Sequence, residues 1–143
     1  MRPVKTILFP RALFYGIIIL WKVMHVMDNK TKALVIDDDV NICELIDKVP
    51  ELKKIIEKRD DGFSETPFIV KKEGKIYTGF IDRIILDGEE SCNIYDYKTE
   101  TGDTDKFKQQ MDIYEEAALK IFPQRKRVKR YIVSLQNGKI QEI

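Results

Sequence analysis

The chain has 143 residues, a length that suits one domain and a core large enough to fold without a disulfide or a structural metal. With 43% hydrophobic and 34% charged residues and a formal net charge of +1, it is globular in composition, and any positive surface for nucleic acid must be local. Its two cysteines, Cys43 and Cys92, form no CxxC pair, which excludes a four-cysteine zinc or iron–sulphur site and reads as two reduced thiols of a cytoplasmic protein.

The basic start Met1-Arg2-Pro3-Val4-Lys5 leads into a mostly apolar stretch, residues 7–26. Pro10, Arg11 and Lys22 interrupt it, and its longest uncharged core, residues 12–21, is about half of the ~20 residues a bilayer span needs. No small-residue cleavage site follows. The stretch therefore reads as a buried helix over about residues 11–27, closed by Asp28-Asn29-Lys30, and no stable membrane association is expected. Asp37-Asp38-Asp39 then offer capping acids to a second helix carrying Val40, Ile42, Leu45 and Ile46. Pro50 suits the first turn of a third helix, whose apolar stripe is Leu52, Ile55 and Ile56, and Asp60-Asp61-Gly62 breaks it.

From there the pattern becomes extended. Phe68-Ile69-Val70 precedes the tight-turn signal Glu73-Gly74, residues 76–86 form a second strand-like run, Asp87-Gly88 turns the chain, and residues 92–98 are a third strand. Short turns make the three an antiparallel meander. Helical spacing returns after Gly102, with Asp103 or Thr104 as cap, Phe107, Met111, Tyr114, Ala118 and Ile121 on one stripe, and Pro123 beyond the end. Residues 128–135 and 139–143 flank Asn137-Gly138, a type I′ hairpin signal. The reading is one α/β domain over residues 1–143, with a helical N-terminal part (1–60) and a core (63–143); there are no internal repeats and no low-complexity linker.

Chemistry concentrates in the central strands. Asp82 interrupts an apolar run, a place unsuited to an aspartate unless it is solvated, paired or functional. Asp96 and Lys98 are two apart in a strand and project to one side, with Tyr97 on the other. Taken alone, that pair is also compatible with a surface ion pair. If Asp82 on the neighbouring strand faces the same side, two carboxylates form a hard-oxygen site for Mg²⁺ or Mn²⁺, with waters and a backbone carbonyl, that of Tyr97, completing the shell. Such an ion lowers the pKa of bound water and neutralises phosphate charge, and a lysine beside it can stabilise developing negative charge.

Three ordered motifs carry a resemblance. Gly79-x-Ile81-Asp82-Arg83-Ile84, then Ile94-Tyr95-Asp96-Tyr97-Lys98-Thr99, then Gln110-Met111-Asp112-Ile113-Tyr114 resemble the nuclease domain of RecB/AddA-type helicase–nucleases, within the PD-(D/E)XK superfamily, whose pattern is G-x-I-D, D-Y-K-T and Q-x-x-x-Y. The resemblance covers about residues 65–114, and extends to the C-terminal hairpin. It implies a restriction-endonuclease-like αβββαβ core with a mixed central sheet, here with extra N-terminal helices and a C-terminal β-hairpin. It also implies Mg²⁺- or Mn²⁺-dependent hydrolysis of DNA, of exonuclease type, in DNA repair and recombination. Asp82 and Asp96 would be metal ligands, Lys98 the catalytic lysine, and Gln110 and Tyr114 would lie beside the active site and help bind DNA. The chain contains no GxxxxGK[ST] loop, so a helicase motor would be a separate subunit. Glu65-Thr66-Pro67-Phe68 resembles the family's E-x-P-F entry to the first strand, with Glu65 read as a solvated or loop-pinning residue rather than a ligand.

The family commonly places a further histidine ligand in the first helix, four residues after a glycine. Here Gly16 is followed at that offset by Leu20, and His25, the sole histidine, is the candidate for the place. A site short of that ligand would make the domain a catalytically weak or inactive DNA-binding or assembly module. The basic run containing Arg125, Lys126 and Arg127 is a solvated loop or a phosphate contact, and Lys71, Lys72 and Lys75 are a weaker candidate for the same role.

Overall fold

The computed structural model of the protein describes residues 5–8, 42–99 and 104–143. The expected helix at 11–27, with Gly16, Leu20 and His25, and the capping acids Asp37–Asp39 lie outside the described residues, as does Asp103. Two short helices come first, α1 (Ile42–Lys48) and α2 (Pro50–Ile56). Val49 separates them because a residue before proline is driven out of the helical region; it sits at φ −122°, ψ 91°, and Pro50 opens α2. Leu52, Ile55 and Ile56 are buried, as their spacing requires.

The meander follows as β2 (Gly62–Lys72), β3 (Lys75–Asp87) and β4 (Ser91–Lys98), both pairings antiparallel. The first turn is a two-residue loop, Glu73-Gly74, with φ of 51° and 73°, the double positive φ of a type I′ hairpin. β2 begins earlier than its apolar run, taking in the polar residues from Gly62 onward. A 3₁₀ turn, Thr104–Phe107, leads into α3 (Lys108–Ile121); Thr104 therefore opens the tighter turn, and α3 itself starts without a side-chain cap. α3 returns the chain to β5 (Arg127–Ser134), parallel to β4, and β6 (Ile140–Glu142) closes the edge antiparallel to β5.

Ahead of all these lies β1 (Lys5–Leu8), parallel to β3 from Lys75 to Thr78. No strand was expected in the N-terminal part read as helical (1–60); β1 precedes the helix expected at 11–27, and periodicity alone cannot identify a strand in so short a run. The result is a six-stranded mixed sheet in the order β1-β3-β4-β5-β6, with β2 on the other edge of β3. Its β2-β3-β4, α3, β5 succession is the expected restriction-endonuclease-like core, completed by a hairpin.

That hairpin differs in detail from the sequence reading. Val133 pairs with Ile140, so six residues rather than two form the loop, and Asn137 does not take positive φ. Instead Asn137 Oδ1 accepts from the Lys139 amide (2.9 Å), the Gly138 amide donates to the Ser134 carbonyl (2.9 Å), and Gly138 sits at φ 72°. The wide loop wraps over the α1–α2 junction: a Cβ on Gly138 would stand 2.8 Å from Val49 Cγ2. The sheet has a core on each face. Phe68, Val70, Tyr77, Ile81, Ile84, Ile94 and Ile132 pack with Met111, Ile113 and Tyr114 of α3. On the other face Ile85, Tyr95, Tyr97 and Val133 pack with Ile46, Leu52, Ile55 and Ile56 of α1 and α2.

Candidate active site

Strand alternation breaks at one level of the sheet. Ile81 and Ile84 of β3 are three apart, yet both belong to the core under α3, whereas regular alternation would put them on opposite faces. Across the ladder Ser64 pairs with Arg83 and Thr66 with Ile81, so Glu65 of β2 stands level with Asp82, and Glu65 has φ 52°. Both strands turn over together at this level. Asp82 lies on the turnover itself, and Arg83 is thrown to the face of α2.

The same level is where β3 and β4 part. Their ladder ends at Arg83 and Tyr95, and the next residues out are Asp82 and Asp96. Asp82 closes the fork with its own side chain: Oδ2 accepts the Tyr97 amide at 2.9 Å. Asp96 and Lys98 share the face of Cys92 and Ile94, under α3, while Tyr95 and Tyr97 point to the opposite core. The Lys98 ammonium is 2.7 Å from Asp96 Oδ2 and donates to Gln110 Oε1 at 2.9 Å. Gln110 Nε2 donates to the Tyr114 hydroxyl at 2.9 Å, and the Tyr114 ring meets Phe68 edge-on at 5.5 Å. An ammonium only donates, so Oε1 must face Lys98, which leaves the amide nitrogen for Tyr114. Asp82, Asp96, Lys98, Gln110 and Tyr114 thus form one connected group.

The group is largely withdrawn from water. Asp96 is 0% exposed, Asp82 5% and Gln110 9%. Among the described residues, Asp82 Oδ1 and Asp96 Oδ1 are buried and accept no hydrogen bond, and Asp96 Oδ2 has the ion pair with Lys98. Buried carboxylate oxygens left this way are costly. Burial, and next the charge of Asp96, push the Asp82 carboxyl well above the usual carboxylate range, against the pull of the Tyr97 amide. Burial raises Asp96 too, while Lys98 draws it back down. Burial and the neighbouring carboxylate thus both favour the protonated form of Asp82. Burial likewise pushes the Tyr114 hydroxyl up, with the charges of Asp96 and Asp82 adding to it, so Tyr114 stays neutral. Two adjacent carboxylates with orphaned oxygens are a hard-oxygen donor set that fits Mg²⁺ or Mn²⁺. Among the described residues, no cluster of three or more His, Cys, Asp and Glu accompanies them, and His25 lies outside those residues.

Apart from Glu65, which is level with Asp82, the other residues singled out from the sequence stand apart. Arg127 pairs with Ser91 at the far end of β4, five residues along from the Asp96–Ile132 pair, about 17 Å at ~3.3 Å per residue. There Arg125 donates to the Gly88 and Ser91 carbonyls, and Lys126 and Arg127 face Glu90 at 3.0 and 3.9 Å. Lys72 is 3.5 Å from Glu116. Glu65 is partly buried, which raises its carboxyl. Cys92 is a buried free thiol, pushed up by burial and correspondingly inert. Among the described residues no helix is long and apolar enough to cross a membrane.

Two residues beside the site had been given no role in it. Arg83, 2% exposed, donates from Nε to the Ile55 carbonyl (2.8 Å), from Nη2 to the Glu57 carbonyl (2.7 Å) and from Nη1 to Ser64 Oγ (2.8 Å). It ties the end of α2 to the turnover at Asp82. Two of its three partners are main-chain carbonyls, which leave no mark in a sequence. Phe107 lies with its ring centroid 4.5 Å from Lys98 Nζ; its place on the apolar stripe was legible, its charged neighbour was not.

No curated protein sequence matches the chain. The sequence model of the PD-(D/E)XK nuclease superfamily does, over residues 43–142. That span holds the forked strands, the two acids, the lysine and the helix packed over them, and by it the chain belongs to the PD-(D/E)XK nuclease superfamily.

Proposed function

We propose that this chain is a Mg²⁺- or Mn²⁺-dependent deoxyribonuclease of the RecB/AddA type, cutting DNA from an end in repair or recombination and working beside a separate helicase subunit. Nucleases of the superfamily generally use divalent metal ions. The observation that carries the reading is the buried Asp82–Asp96 pair, whose orphaned oxygens sit next to an ammonium already held by two partners.

Asp82 Oδ1 and the Asp96 carboxylate would hold the cation, with the carbonyl of Tyr97, the residue after Asp96 in β4, adding a third oxygen. When bound, the cation supplies Lewis acidity at the scissile phosphate and a water of lowered pKa. The chain's own groups do the rest. The Tyr97 amide fixes Asp82 through Oδ2 and leaves Oδ1 for the ion. With Asp96 engaged by a cation, the Lys98 ammonium would be available to the phosphate and would stabilise the negative charge that develops there. Gln110 holds Lys98 in reach, and the neutral Tyr114 hydroxyl holds Gln110. Burial excludes bulk water and strengthens each of these interactions.

The test is hydrolysis of end-labelled linear DNA and of covalently closed circular DNA, with Mg²⁺ and with EDTA. The expected result is Mg²⁺-dependent shortening of the linear DNA and intact circles. Lys98→Ala should lower kcat by about 10²–10³-fold, the usual effect of removing one preorganised charge-stabilising group. Cleavage at the wild-type rate by folded Lys98→Ala or Asp96→Asn protein would refute the proposal, and cutting of closed circles would refute its end-dependent part.

A further inference from the structure

Lys98 reaches the site on a long, flexible side chain, and the proposed reaction needs its charge in one place. Among the described residues the ammonium has three neighbours: Asp96 Oδ2 at 2.7 Å, Gln110 Oε1 at 2.9 Å and the Phe107 ring, whose centroid is 4.5 Å from Nζ. The first is the one a cation would take over. Gln110 alone would then hold a side chain that can rotate away.

Phe107 is placed to prevent that. It is the last residue of the 3₁₀ turn, directly before α3 and three residues ahead of Gln110, so the helix that supplies the hydrogen bond also supplies the ring. The ring is half-buried against the core under α3, which fixes its orientation. An ammonium within about 6 Å of a ring centroid is attracted by the negative face of the π-system. Unlike a carboxylate, the ring neither neutralises the ammonium nor offers a lone pair to a metal. It keeps Lys98 in place while leaving the full positive charge for a phosphate. The exposed ammonium of Lys106 lies 4.9 Å from the same ring, so Phe107 presents its π-system to two cations, of which Lys98 belongs to the site.

We infer that Phe107 is a positioning residue for Lys98: a cation–π support that holds the ammonium at the scissile phosphate after Asp96 has been given to the metal. This rests on the nuclease reading above, and the experiment separates the two. Phe107→Leu keeps an apolar side chain of similar bulk and removes the ring; Phe107→Tyr keeps the ring. Steady-state cleavage and NMR of the Lys98 ε-methylene protons, shielded by ring current when they lie over an aromatic face, are measured on wild-type and both variant chains.

The expected result is shielded Lys98 protons in the wild type and in Phe107→Tyr, and ordinary shifts in Phe107→Leu. With it, kcat should fall about 2- to 30-fold in Phe107→Leu at unchanged KM, the range between exposed and desolvated cation–π contacts, and be restored in Phe107→Tyr. Unshielded Lys98 protons in the wild type overturn the inference, whether or not Phe107→Leu folds. Wild-type kcat in Phe107→Leu, or a Phe107→Tyr rate no better than that of Phe107→Leu, overturns it as well. A wild-type chain that shows shielded Lys98 protons but cuts no DNA overturns the nuclease reading and, with it, the role of Phe107 in catalysis.

Discussion

Asp82 occupies a costly position in the fold, and the proposed chemistry depends on it. It is buried beside a second carboxylate, with one oxygen satisfied by the Tyr97 amide and the other orphaned. An asparagine can accept the same amide through Oδ1 while removing the like-charge conflict with Asp96. Asp82→Asn should therefore abolish metal-dependent cleavage and raise metal-free stability by about 0.5–2 kcal/mol, the gain common when a functional site is relieved of its conflict. Thermal unfolding in EDTA measures this, and a lowered melting temperature would show that the buried pair is not a source of strain. Arg83 makes a complementary point. Its guanidinium fills the space where a side chain at Gly62 would be: a Cβ there would lie 2.6 Å from Nη2 and 2.8 Å from Cζ. Gly62→Ala should cost roughly 1–3 kcal/mol by overpacking. Arg83→Met, which strips the Ile55 and Glu57 carbonyls of their donor, should cost roughly 1–3 kcal/mol for each carbonyl left unpaired. Urea unfolding of the two single variants and the double checks both; because the residues touch, the double variant should be less destabilised than the sum. Asp96, Lys98 and Gln110 were legible from spacing and motif. Arg83 was not, because two of the three groups it binds are main-chain carbonyls.

At the scale of elements, the meander and its tight turn could be read from β-branched runs and from Glu73-Gly74. The helix following β4 could be read from its stripe. What could not be read is the shared turnover of β2 and β3, since it rests on the positive φ of Glu65, a residue with no local preference for it. That turnover lets three consecutive residues serve three purposes: Ile81 in the core, Asp82 in the fork and Arg83 against α2. Of the four residues of β1, Ile7 and Leu8 were read as the start of a longer apolar run, and no strand was expected there. The Asn137-Gly138 signal pointed to a hairpin correctly but to the wrong loop, because packing on Val49 favours a wider path with only Gly138 at positive φ. Gly138→Ala meets both obstacles, a strained φ and a Cβ 2.8 Å from Val49 Cγ2, and should destabilise the chain by about 1–3 kcal/mol. A melting temperature equal to that of the wild type would show that the loop can relax away from α2.

At the scale of the whole molecule, the pair links stability to pH and, on the proposed reading, would link it to metal. Both acids have folded pKa values raised above the ordinary range, so in that window the folded, metal-free protein binds more protons than the unfolded chain. Their contribution to stability is greatest below the ordinary carboxylate pKa and is lost as pH rises through the raised values. A cation that takes both carboxylates reverses the trend, because it binds the deprotonated folded state and not the unfolded one. Melting temperature should thus fall between mildly acidic and neutral pH in EDTA and recover with Mg²⁺ or Mn²⁺. The most direct measurement is a Mn²⁺ titration of the full chain at neutral pH, followed by electron paramagnetic resonance, for wild type and Asp96→Asn. Saturable binding in the wild type, weakened at least about tenfold in a folded Asp96→Asn chain, is the expected result; equal Mn²⁺ affinity in the two would mean that Asp82 and Asp96 do not form the metal site.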